Sequence, residues 1–163
     1  MARKEVRILL WVATIAVAGM IFGFSCQDGD ASMQTSSLIV DPIVQTMTSH
    51  MPPMNADQAE GMRMAIQFLV RKLAHFTEFA LLGFLISCLT HSYACRHAGS
   101  LAWLIGAAYA ASDELHQFLG GSRTGMWQDV VLDSVGVLAG ACVASLLCRK
   151  VGERRRNHQE NQA

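Results

Sequence analysis

A chain of 163 residues suits one compact unit, and with 52% of those residues apolar it carries more oily surface than a soluble domain of ordinary charge content needs. Thirteen basic residues balance thirteen acidic ones, so the net charge gives no reason to expect nucleic acid as a partner. The five cysteines include no Cys-x-x-Cys pair, which argues against a disulfide framework and a cysteine-rich zinc site.

The apolar excess is gathered into four runs. They predict an all-α fold: a single integral membrane domain of four transmembrane helices with an amphipathic outer loop segment. The spans are expected over about 8–24, 72–92, 99–118 and 129–148, with 149–163 as a basic cytoplasmic tail.

The first run, Ile8 to Phe24, is at the short end of what a bilayer core requires. Arg3, Lys4 and Arg7 before it look like the start of a secretory signal, but Gly23 and Phe24 are poor flanks for cleavage at Cys26, so a retained span is expected. From Ser25 to Asn55, polar residues alternate with scattered apolar ones (Leu38, Ile39, Ile43, Val44, Met47). This pattern predicts a short surface helix ended by Pro52 and Pro53, in which methionine fills gaps rather than binding metal.

Asn55 followed by Gln58 offers a capping box for a helix starting near Ala56. That helix reads as one long element. Its first half is amphipathic and lies at the interface, it enters the membrane around Lys72, and it carries the second apolar run, Phe79 to Thr90. The third run, Ser100 to Ser112, becomes long enough to span only if Leu115 and Phe118 extend it, which requires protein to shelter the polar cluster between them. The fourth, Val130 to Cys148, holds one charge, Asp133, followed by Gly136 and Gly140, small residues that let another helix approach closely.

Lys and Arg crowd toward one side of this topology. Arg3, Lys4, Arg7, Arg96, Arg149, Lys150, Arg154, Arg155 and Arg156 fall inside if the N-terminus is inside, which predicts a multi-pass protein of a bacterial inner membrane with both termini cytoplasmic.

Helices two, three and four each carry polar residues at their outer ends. Lys72, His75 and Glu78 are spaced by threes on one face; Asp113, Glu114, His116 and Gln117 close the third helix, where Asp113, His116 and Gln117 are expected to share a face; Asp129 opens the fourth, with Asp133 one turn deeper. At a rise of ~1.5 Å per residue, Glu78, Asp113 and Asp133 all sit roughly 6 to 9 Å inside their helix ends. A charge at mid-membrane costs about 2.5 to 3.5 kcal/mol on insertion scales, so these groups are expected to face one another.

Two readings follow. In one, the belt is an outward-facing polar pocket, with His75, Glu78, Asp113, Glu114 and His116 as candidate catalytic groups and Lys72, Gln117, Arg123, Asp129 and Asp133 as binding groups. In the other, it is packing glue such as Lys72 with Asp113 or His116 with Glu78. Polar bonds between membrane helices average only about 0.6 kcal/mol, too little to justify so many costly groups as glue alone, which favours the pocket. His75 and His116 suit either zinc ligation or neutral donation to a carboxylate, and no metal set or cofactor is specified. Trp11, Trp103 and Trp127 read as packing or interfacial aromatics.

At these residues the sequence resembles the VanZ-like family, named for a protein associated with teicoplanin resistance. The resemblance is carried by Phe24-Ser25-Cys26-Gln27, by Arg71-Lys72 with His75 and Glu78, by Asp113-Glu114-Leu115-His116-Gln117, and by Arg123, Asp129, Gly136 and Gly140. Cys26 stands where the family pattern has Ser, and Asp133 where it has Asn. The resemblance implies a polytopic membrane protein whose relatives can lower glycopeptide sensitivity, and it implies no particular reaction.

Expected partners are therefore membrane lipids and a lipid-linked or cell-wall molecule, with a homo-oligomer open. Binding of an envelope component ranks first, an acid–base or metal-assisted enzyme second, and proton-coupled transport third, because the belt lies to one side rather than at the midplane.

Overall fold

The computed structural model describes every residue except 1, 27–28, 53, 120–126 and 162–163, and within the described residues every regular element is a helix. Five follow in order: α1 (Ala2–Ser25), α2 (Gly29–Ser49), α3 (Ala56–Ser92), α4 (Ala98–Leu119) and α5 (Trp127–Glu160). Three are long and apolar enough to cross a membrane, over Lys4–Ser25, Ala56–Ser92 and Trp127–Arg154. α4 has the length but not the composition, because Asp113 and Glu114 offset its apolar run.

α3 begins as its capping residues require. The Asn55 side chain accepts from the Gln58 backbone N–H at 2.8 Å, and the Gln58 side chain accepts from the Asn55 N–H at 3.1 Å, so two N–H groups that the first turn leaves free are satisfied. At ~1.5 Å per residue its 37 residues run about 55 Å, well beyond a ~30 Å hydrocarbon core. The surplus carries α2, joined to it by Arg63 to Asp41 at 2.8 Å and by Gln67 to the Ser36 hydroxyl at 3.1 Å, with Val40 fully buried. α2 continues through Pro42 and is longer than the short surface helix expected. α5 is also longer than expected, running through most of the basic segment to Glu160.

The packing centre is the α3–α5 seam, with α4 against both. A Cβ added at Gly140 would collide with the Ala80 carbonyl, one at Gly83 with the Val137 backbone, and one at Gly136 would stand 2.7 Å from the Phe76 oxygen. Lacking side chains there, the two backbones touch along the seam. Around it, Ile21, Phe79, Leu82, Ile86, Ala102, Ala110, Val137 and Ala141 form a buried cluster drawn from four helices. The turn from α3 to α4 is tight, with Ala94 in the left-handed region at φ 56°. α1 lies antiparallel to α3, since Arg7 near its start reaches Ser92 at the end of α3. It lies parallel to α4, because Ser25 at its end reaches Asp113 near the end of α4. The end of α1, the middle of α3, the end of α4 and the start of α5 therefore share one end of the bundle.

Candidate functional site

The face of α4 turned into the bundle runs through Ala102, Gly106 and Ala110 to Asp113, Glu114 and Gln117. The helical repeat that buries small apolar residues near its start thus buries charged ones near its end. Asp113 and Glu114 are only 3% and 7% exposed. Their position is costly because burial takes a charge out of water.

Asp113 is partly compensated. Ser25, itself buried, donates to its Oδ2 at 2.9 Å, and the Gln117 amide donates to the same oxygen at 3.0 Å and to the Ser25 hydroxyl at 2.6 Å. This closed triad ties α1 to α4. Its other oxygen, Oδ1, has no hydrogen-bond partner among the described residues.

Across the bundle, Glu78 of α3 is close enough to feel the charge of Asp113. Asp133, 1% exposed on α5, feels Glu114, Asp129 and Asp113 as well as Lys72. Neither Asp133 oxygen has a hydrogen-bond partner among the described residues. Lys72 pairs with Asp129 rather than with Asp113, and its ammonium stands 5.2 Å from the centre of the Phe68 ring. Carboxyl groups from α3, α4 and α5 thus lie near one another, and Lys72, paired with Asp129, is close enough to act on Asp133.

The other residues singled out from the sequence fall differently. His75 is half-buried on α3, one turn before Glu78. His116 does not share the buried face with Asp113 and Gln117. It is exposed, its Nε2 lies 3.5 Å from the Cys26 sulfur, and its ring stacks at 4.9 Å on Phe22, so it turns toward α1 and not toward Glu78. Arg123 lies outside the described residues. No three His, Cys, Asp or Glu side chains among the described residues stand close enough to hold a metal ion.

Sequence reasoning missed Ser25 as a member of the buried triad and Cys26 as the neighbour of His116, although both belong to the Phe24–Gln27 run that carried the family resemblance. Their signal was a short polar pair directly after an apolar span. Two of the tryptophans act as packing groups: Trp11 donates to the Tyr93 hydroxyl and Trp103 to the Ser134 carbonyl, each at 3.2 Å.

A family model described as VanZ/LLP1 matches residues 10–148. No curated protein and no solved structure matches the chain.

Proposed function

This chain belongs to the VanZ/LLP1 family, and from that premise we propose that it is a multi-pass protein of the bacterial inner membrane whose outer end binds a component of the cell envelope. α4 serves as the fourth span. Its 22 residues extend about 33 Å, and its acidic pair is sheltered by α1, α3 and α5 instead of by lipid. Both termini are cytoplasmic, in keeping with the excess of Lys and Arg on that side.

One observation carries the reading. Asp113 and Glu114 are buried beside Glu78 and Asp133, and acceptor oxygens of Asp113 and Asp133 lack partners among the described residues. Side chains in this state lower their free energy by accepting from a donor, so the ligand suited to them carries ammonium or hydroxyl groups. Headgroups and lipid-linked cell-wall molecules present such groups at this depth. Engaging one would alter envelope composition or glycopeptide susceptibility, in line with the lowered glycopeptide sensitivity that the VanZ-like resemblance implies for relatives.

The test compares cells lacking the gene with cells complemented by wild type, Asp113→Asn or Glu114→Gln, scoring lipid and cell-wall precursor pools and teicoplanin susceptibility. Wild type should restore both readouts while the variants, present at equal abundance in the membrane, restore neither. Full restoration by both variants would exclude a role for the acidic pair.

The contact between Cys26 and His116 and the nearness of Glu78 to Asp113 favour a second reading, acid–base chemistry on a lipid-linked or cell-wall substrate. It requires the substrate's covalent structure to change on incubation with purified protein, whereas binding leaves it intact.

A further inference from the structure

At the opposite end of the bundle, the start of α4 and the last membrane turns of α5 enclose a groove of about 560 Å³. Its lining is amphiphilic along its length. On α5, Leu138, Cys142 and Leu146 succeed one another at four-residue intervals on one face, and Ser145 and Arg149 follow at the end. From Leu138 to Arg149 the stripe covers roughly 16 Å. Trp103 closes the deep end, held across the two helices by its bond to the Ser134 carbonyl.

Cys142, Leu146 and Arg149 are all exposed, so the groove opens sideways toward lipid rather than into the bundle core. Among the described residues no carboxylate pairs with Arg149. The other charges at this end are mostly basic, with Arg7, Arg96 and Lys150 set against Glu5 and Glu153. Apolar walls, a cation at one end and a surplus of positive charge around it together fit a molecule with a hydrocarbon chain and an anionic head.

We propose that this groove holds one anionic phospholipid, its phosphate on Arg149 and Ser145 and an acyl chain along Leu146, Cys142 and Leu138 to Trp103. A guanidinium offers a phosphate two parallel N–H donors, and the net positive charge around it favours an anionic occupant over a zwitterionic one. The site is separate from the acidic end and does not depend on the role given to it.

The experiment uses the full chain purified in detergent, stripped of lipid, and titrated with phosphatidylglycerol or phosphatidylcholine while retained lipid is counted by native mass spectrometry. One phosphatidylglycerol per chain should survive at concentrations where phosphatidylcholine does not. Arg149→Gln should weaken phosphatidylglycerol retention roughly tenfold, the loss of one charge-assisted contact. Cys142→Trp, which fills an exposed stretch of the groove without touching the core, should abolish retention while thermal unfolding stays at the wild-type midpoint. The proposal is overturned if either variant retains phosphatidylglycerol like wild type, or if soluble glycerol phosphate displaces it, which would show that the chain contributes nothing. It is equally overturned if stripped protein forms a stable dimer that Cys142→Trp disrupts, since a second copy would then be the occupant.

Discussion

The two ends of the bundle handle charge in opposite ways. At the basic end, Arg7 donates to the Ser92 carbonyl at 2.6 and 3.2 Å and lies 4.4 Å from the centre of the Tyr93 ring, while Arg149 and Lys150 remain exposed. At the acidic end, Asp113, Glu114 and Asp133 are buried. Side-chain length explains part of the contrast. Lys and Arg can lay a long stem along apolar surface and carry the charge out to the interface, whereas Asp has a single methylene and leaves its charge where the backbone puts it. The basic end is therefore satisfied by headgroups and backbone carbonyls that any membrane protein meets, and the acidic end depends on groups brought to it by other helices or by a ligand.

The sharpest way to break this contrast is to remove the acid that holds the acidic end together. Asp113→Ala leaves the buried Ser25 hydroxyl and Gln117 amide without their shared acceptor and should lower stability by about 1 to 3 kcal/mol, read from the unfolding midpoint in detergent. No change in midpoint would mean that the triad contributes nothing and that the end is loosely packed. Asp133→Asn should act in the other direction. An amide cannot ionise, so in alkaline solution it escapes both the cost of burying an unbonded carboxylate and the repulsion from Glu114, Asp129 and Asp113, and stability measured there should rise by roughly 1 to 2 kcal/mol. A fall would show that Asp133 has a partner worth more than its burial cost.

How much of this was readable from the sequence depended on the range of the interaction. The Asn55–Gln58 box, the surface helix before Pro52 and the close approach at Gly136 and Gly140 are encoded within a few residues, and each appears in the structure. The convergence of polar groups was also visible, because helical rise fixes depth. Rotation was not. Spacing placed His116 with Asp113 and Gln117, but the buried face of α4 turns through Ala110, Asp113, Glu114 and Gln117, which leaves His116 toward α1. Lys72 likewise found Asp129 instead of Asp113, a choice set by how α5 is turned once its glycines dock on α3. The part played by Ser25 was hidden for the same reason, since nothing local says that α1 and α4 end side by side.

The smallest effect belongs to the basic end and sharpens the comparison most. Arg7 contributes as a cation at the end of α3, where carbonyls go unpaired, and by its position over Tyr93; each contact is worth a few tenths of a kcal/mol to about 1. Water and headgroups can replace much of that bonding once the guanidinium is gone. Arg7→Gln should therefore cost about 0.5 to 1 kcal/mol, and the loss should shrink at high salt, because the charge it removes is near the surface. Asp113→Ala should show no such salt dependence, its partners being buried and uncharged. Measuring both midpoints across a salt series thus separates the ends by mechanism as well as by magnitude: equal salt sensitivity would mean that the acids reach solvent, and the case for a sheltered acidic site would fail.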